Sequence, residues 1–386
     1  MAHVDNVRRH FAAVRTSTYL NTGTFGALPD TAVERMQQVL DLQFREGRLQ
    51  GYFGQLATVR EQVREQLANL FRVPESTLAL TDSTTHGINV VLNGLLWHEG
   101  DEIVFTNTEH QGGMMPLFIQ KQRQGIVLKQ FEVGRTVEET LQRMKAAVSS
   151  RTRLVVVSHV SYETGQRLPI ERIARTAHEY SALCLVDGAQ GAGAEWIDLA
   201  STDIDFYALP GQKWLCGPDG VGALYVRERA MPNLEMTFGG AASLMENHPR
   251  TMNGYFLPAD SARRYEYTFV NLTNWVGWLE SLRFIRVQVG WDYAFSRIHG
   301  LSGTLLDQLL DVPGVEVFTP RDSRAGIVSF RMKDISAARV VAAAAERGIA
   351  VRSIPQHDLV RVSPGFYNAE DDIDRLLSLI RRPESL

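Results

Sequence analysis

Between residues 78 and 226 the chain alternates short apolar runs with helix-patterned stretches, and few folds accommodate that rhythm. LALT (78–81), EIVFTN (102–107), VLKQFEV (127–133), RLVVVSHV (153–160) and ALCLVDGA (182–189) read as strands. Between them, TTHGINVVLNGLL (84–96), the stretch around MPLFIQKQRQ, VEETLQRMKAAV (137–148) and IERIARTAHEY (170–180) read as helices, and FYALPG and GVGALYV close the series. The strand runs are continuously apolar, as expected when both faces are buried. Strand–helix–strand repetition predicts an α/β fold with a mainly parallel sheet flanked by helices. In such sheets ligands bind beyond the carboxyl ends of the strands.

Ahead of this series, residues 30–71 carry long helical patterning. Beyond about residue 235 the rhythm changes. Residues 236–274 are rich in Gly, Asn and Thr and read as irregular. A helix over 275–290 and another near 291–310 follow, then GIVSFRM, ISAARVVAAAAERG, VRVSP and EDDIDRLLSLIRR alternate short strands and helices. This is the pattern of a smaller α+β domain. A chain of 386 residues is long enough for both units. The expected division is a large domain over 15–240 and a small domain from 1–14 and 241–386.

Bulk properties narrow the function. The net charge of −4 gives no pull toward nucleic acid or anionic lipid. The two cysteines, Cys184 and Cys216, form no CxxC pair, so neither a disulfide framework nor a cysteine-based zinc site is expected. No histidine or cysteine stands at ligand spacing from His110, and no metal is expected. The start of the chain lacks a signal-peptide pattern. No apolar run approaches the roughly 20 residues that span a bilayer. The expectation is a cytoplasmic protein without nucleic-acid or membrane partners.

Several polar residues follow strands. Lys213, in LPGQKWLCGPDGVG, is flanked by apolar strands and glycines. It is either a surface-loop lysine or a desolvated amine made nucleophilic toward an aldehyde. Asp187 ends ALCLVDGA. It caps a turn, or it pairs with a pyridinium nitrogen as in pyridoxal 5′-phosphate (PLP) sites; Gln190 just beyond it can donate to the ring's phenolic oxygen. Ser83, Thr84 and Thr85 open a helix, either as a simple N-cap or as an anion site. His110, in FTNTEHQGG, can stack on a flat ring or merely be hydrogen-bonded.

The ordered segments STTHGIN, TEHQGG, SHVSYETG, LVDGAQ, GQKWLCGPDGVG and VRVSPGFYNAEDDIDRL resemble those of fold-type I, class V aminotransferase-like PLP enzymes, over about residues 19–380. That family includes cysteine desulfurases, cystine and cysteine C–S lyases, isopenicillin N epimerase-like proteins and small-molecule aminotransferases. The resemblance implies that Lys213 forms the Schiff base and shuttles protons. Asp187 would pair with the ring nitrogen, Gln190 with the ring oxygen, and His110 would stack over the ring. Ser83, Thr84, Thr85 and Gln212 would lie around the phosphate. Arg361 would grip the substrate α-carboxylate, for which a guanidinium fork is suited. A homodimer with shared active sites is also implied.

The chain departs from the family pattern in places. Pro210-Gly211-Gln212 replaces the usual Ser/Thr-Gly-His before the lysine, so one hydroxyl contact to phosphate is lost. In RRYEYTFVN, Thr268 is displaced and Phe269 sits near the expected threonine. Tyr162 stands where an Asn is common.

The family's reactions are β-elimination, racemisation, transamination and desulfuration. A desulfurase carries a cysteine before its carboxylate-binding arginine, whereas GIAVRSIPQHDLVRVSP has none. YLNTGTFGALP, with Asn21, resembles epimerase-like and C–S lyase members, and the pair Arg352 and Arg361 resembles cystine and cysteine lyases. The expectation is a lyase that eliminates the β-substituent of a sulfur-containing amino acid through a Lys213 Schiff base and a quinonoid intermediate. An aminotransferase or epimerase of a secondary-metabolite amino acid is the alternative, and a non-catalytic PLP- or ligand-binding descendant a remoter one. No GxGxxG follows the first strand, which disfavours a nicotinamide enzyme.

Overall fold

A computed structural model of the chain describes residues 2–48, 50–245, 252–268, 271–382 and 384. A short strand, β1 (Thr18–Tyr19), precedes the helices Asp30–Glu46 and Gln50–Phe71. The strands β2 (Leu78–Thr81), β3 (Glu102–Thr106), β4 (Val127–Phe131), β5 (Thr152–Ser158), β6 (Leu183–Asp187), β7 (Phe206–Pro210) and β8 (Gly222–Val226) then form a seven-stranded sheet. Their spatial order is β2-β8-β7-β6-β5-β3-β4. Neighbours from β7 to β4 are parallel, and β8 runs antiparallel to both β7 and β2.

The continuous apolar runs have a direct cause. Successive strand residues point to opposite faces, and here each face carries its own core. Val104, Val155 and Val157 pack with Val63, Leu67, Leu141, Ile173 and Trp275 on one face. Ile103, Phe105, Leu154 and Val156 pack with Ile88, Val91 and Leu117 of the helices Thr84–Gly94 and Gln111–Gln124 on the other. A strand between two such layers has no position to spare for a polar side chain until it ends.

A second sheet follows, built from β9 (Val315–Val317), β10 (Val328–Met332), β12 (Arg352–Ile354) and β13 (Leu359–Val362), all antiparallel, in the order β12-β13-β10-β9. The helices Trp291–Leu310, Ala337–Glu346 and Glu370–Ile380 supply much of its core, including Leu301, Leu305, Val340 and Leu376. The strand β11 (Ile349–Ala350) leaves this sheet and pairs in parallel with β1. The backbone continues the stitch, with Ser363 N donating to Leu20 O at 2.8 Å and Thr22 N to Ser363 O at 3.0 Å.

The helix expected over 275–290 starts earlier, at Leu272, because Asn271 caps it: its Oδ1 accepts from Thr273 N at 3.0 Å. It passes into a π-helical turn over Ile285–Val289 and ends at Gly290, whose φ of 84° breaks the helix. Trp275, Trp278 and Leu282 share the large sheet's core, whereas side chains from Leu301 onward build the small one. The expected small unit began at 241. The packing changes further along, after the π turn.

Candidate active site

The carboxyl ends of the parallel strands gather the polar residues that the cores exclude. Asp187 is the last residue of β6 and is buried. Lys213 follows β7, His110 follows β3, and Ser83 follows β2. They line a cavity of about 240 Å³ together with Gln190 and Tyr162. From the opposite side, Arg352 and Arg361 enter from β12 and β13. A larger depression, about 600 Å³, lies on the outer face of the small sheet by Lys333 and Asp334; it holds no comparable set of groups.

At one end of the cavity the helix Thr84–Gly94 begins. Ser83 caps it, its Oγ accepting from His86 N at 3.2 Å. Thr84 Oγ1 is buried without a partner, and so is Gln212 Oε1. An unpaired buried hydroxyl beside a helix N-terminus suits an anion, whereas the Gln212 amide meets one only through its Nε2. Pro210 lines this end and offers no hydroxyl. Thr268 is exposed; its neighbour Tyr267 packs on the ring of His86, with centroids 5.1 Å apart. Phe269 lies outside the described residues.

In the middle stand Lys213, Asp187 and His110. Lys213 is lowered to about 8, first by desolvation among protein atoms, with Arg361 and Arg352 adding repulsion and Asp187 opposing it. Burial pushes the Asp187 carboxyl up, while Ala189 N, donating at 2.8 Å, and Lys213 pull it down. His110 is lowered by desolvation and by Lys213. It caps the helix Gln111–Gln124, its Nδ1 accepting from Gly112 N at 3.0 Å. That assignment leaves Nε2 to carry the ring proton. Tyr162 meets the His110 ring edge-on, with centroids 4.9 Å apart. Gln190 is held at both ends of its amide: Nε2 donates to Gly23 O at 2.8 Å, and Oε1 accepts from Trp214 Nε1 at 3.0 Å. One amide hydrogen stays available.

Arg352 and Arg361 are register partners across β12 and β13. Like charges placed directly opposite one another destabilise a sheet, so the pair marks a site for anionic groups. Arg361 is buried. Desolvation, and then Arg352, lower it to about 10. Its Nη1 donates to Tyr162 O at 3.2 Å, and its Nε is buried without a partner.

Two residues here were not singled out from the sequence. Thr24 lines the cavity and accepts from Arg361 Nη2 at 2.5 Å and Arg352 Nη1 at 3.3 Å. Asn21, which was singled out, stands behind it and accepts from Thr24 Oγ1 at 2.7 Å. The other is Glu109, a buried carboxylate just before His110. The argument that flagged Asp187, an acid at the end of a buried strand, applies equally to Glu109 and could have found it.

The donor set fits pyridoxal 5′-phosphate. Bound there, Lys213 would supply the amine, Asp187 would answer a ring nitrogen, and Thr84, Gln212 and the start of the helix Thr84–Gly94 would receive the phosphate. A Cβ at Gly113 would stand 3.8 Å from Asp187 Oδ2, in ordinary van der Waals contact.

Comparison with known proteins places the chain in a family. The aminotransferase class-V family model matches residues 19–376. A probable cysteine desulfurase of Mycolicibacterium paratuberculosis is 29% identical over 339 residues, which cover 83% of this chain. The chain spans about half of that relative's length, 48%. A probable cysteine desulfurase of Staphylococcus epidermidis is 30% identical over 322 residues, 79% of this chain and 76% of the relative. Among solved structures, the cystine C–S lyase C-DES with its product cysteine persulfide superposes with a TM-score of 0.90 at 29% identity, covering 96% of this chain and 99% of that one. A mutant of C-DES with glycine covalently linked to its PLP gives 0.91, also at 29% identity, covering 97% and 98%. On the extent of the family match and the agreement in fold, the chain belongs to the class-V aminotransferase family.

Proposed function

We propose that this chain is a PLP enzyme that eliminates the sulfur substituent of a sulfur-containing amino acid. The observation that carries the reading is the pairing of Lys213 and Asp187 at the strand ends with Arg352 and Arg361 on β12 and β13, two strands whose connection holds no cysteine. Among the described residues Cys184 and Cys216 are both buried and free, and burial pushes both thiols up. Neither is placed to receive sulfur from a substrate. The cystine-lyase relationship therefore supports this reading better than the desulfurase names do.

Bound PLP supplies an aldehyde that condenses with amines and a ring that draws electrons from the carbon beside the amine. The chain's residues do the rest. Arg361 holds the α-carboxylate through its fork, oriented by Thr24 and the Tyr162 carbonyl. Arg352 stands at the rim for a second carboxylate, such as a disulfide-linked amino acid carries. Lys213 Nζ takes the α-proton, a task suited to an amine that titrates near neutrality. His110 lines the cavity and would lie against the ring of bound PLP. Loss of the α-proton and the β-substituent leaves a thiol or persulfide, and hydrolysis then yields pyruvate and ammonia.

The functional unit in this reading is a homodimer. Met115, Phe118 and Ile119 stand exposed on the helix Gln111–Gln124 beside the cleft, and a second copy would cover them. Sedimentation equilibrium checks this. Among the described residues no helix is long and apolar enough to cross a membrane, and the free cysteines suit a reducing compartment such as the cytoplasm.

The decisive assay incubates purified holoenzyme with cystine and with cysteine S-conjugates and measures pyruvate and ammonia. Stoichiometric release is expected. Keto acid matched to an amino donor, or deuterium exchange with inversion, would instead establish transamination or epimerisation.

A further inference from the structure

The turn after β3 carries an acid that the chemistry above leaves unused. Glu109 is 3% exposed. Its Oε1 accepts from Thr106 Oγ1 at 2.5 Å and from the Ser158 backbone amide at 2.8 Å, and its Oε2 accepts from Ser158 Oγ at 2.7 Å. All three donors are neutral. Ser158 ends β5 and is the register partner of Asp187 on β6. Two acidic side chains thus meet the same strand end, one facing the cleft and one behind it.

A carboxylate in a dry wall with only neutral donors is costly. Burial raises Glu109 to about 7, and the nearby Asp187 charge adds to the rise. Lys213 beyond β7 and His110, on the turn that carries Glu109, act in turn on Asp187, and both pull it down. A glutamine would accept the Thr106 and Ser158 amide bonds equally well and would hold the turn without a buried charge. The acid therefore contributes charge as well as shape.

We propose that Glu109 is a positioning residue of the cofactor site: acting through Asp187, it adds negative potential behind the ring end of the cleft and sets how firmly that end holds a proton. This rests on the reading of Asp187 as the partner of the PLP ring nitrogen. Below neutrality Glu109 is protonated and the potential is set by Asp187 alone. Above neutrality the wall gains a second charge, and the proton on the ring nitrogen is held more tightly.

The test loads the full-length protein with PLP isotopically labelled at the ring nitrogen and follows that nitrogen's chemical shift against pH. The parent protein should show a step near pH 7 that Glu109→Gln lacks. Ser158→Ala keeps the acid but removes one donor, so the step should move up by roughly one unit. It also serves if Glu109→Gln fails to fold. The same step in parent and variant, or none in the parent, overturns the proposal alone. Failure of the parent protein to take up PLP overturns the functional reading and the proposal with it.

Discussion

Arg352 and Arg361 face each other across β12 and β13, and both guanidiniums reach the single hydroxyl of Thr24. One neutral oxygen between two cations leaves much of their charge unanswered. It orients both forks, which in the proposed reaction await a carboxylate. Thr24→Val should therefore raise KM by about tenfold while changing kcat little, because a hydrogen bond to a charged group is lost before the chemical step. Steady-state kinetics on cystine check the split.

Replacing Arg361 is a stronger test. Arg361→Lys keeps the charge but loses the fork and the anchor on the Tyr162 carbonyl. A loss of about a hundredfold in kcat/KM is expected. Arg352→Ala should harm cystine more than an S-alkyl cysteine, which lacks the second carboxylate. Equal losses on the two substrates would contradict the assignment of Arg352.

The pH profile follows from Lys213. As a base it must be neutral, and it is lowered to about 8. Exchange of the substrate α-proton should rise with pH and level off above about 8. Arg352 repels a proton from Lys213, so Arg352→Ala should move the inflection to higher pH. Asp187 acts in the opposite direction, so Asp187→Asn should move it lower.

Gly26 tests the backbone around the lysine. A methyl group added there would meet Lys213 O at 2.0 Å and Lys213 C at 3.1 Å. Neither atom can move without shifting the lysine. Gly26→Ala should cost roughly 1–3 kcal/mol of stability, and the visible cofactor band should weaken with it. Thermal melts and absorption spectra measure the two effects.

Glu266 tests the buried charge behind the segment 266–268. It accepts from Arg64 Nη1 at 2.8 Å and from Leu80 N at 2.8 Å, and it also pairs with Arg60. Both arginines are buried. Glu266→Gln would leave buried Arg60 without its ion-pair partner and Arg64 with only the half-exposed Glu61, at a cost of about 3 kcal/mol. Urea melts of the parent and variant give the difference.

Much of the seven-stranded sheet was legible because two-sided burial writes most of its strands as unbroken apolar runs. Leu78–Thr81 was placed to the residue, and Asp187 stood out as the first polar residue after such a run. The start of the helix at Leu272 was not legible, since it depends on the Asn271 side chain reaching back to Thr273 N. Thr24 was hidden for another reason. Nothing near it in the sequence hints at two arginines more than three hundred positions away, and only the β1–β11 and β12–β13 pairings bring them together. Arg361 was found through family resemblance rather than through any periodicity. Glu109 was visible in principle and was eclipsed by the histidine beside it.

The stitch between Leu20 and Ser363 bears on how the molecule is made. A ribosome releases the segment around Thr24 more than three hundred residues before Arg352 and Arg361. The seven-stranded sheet can close on its own residues while synthesis continues, as domains generally do when they fold as units from the amino terminus. The end of the cleft that holds Arg352 and Arg361 cannot close until β11 to β13 have emerged, and its long-range pairings are the slow kind. The nascent protein can therefore assemble the Lys213–Asp187 half of the cleft before Arg352 and Arg361 have reached it.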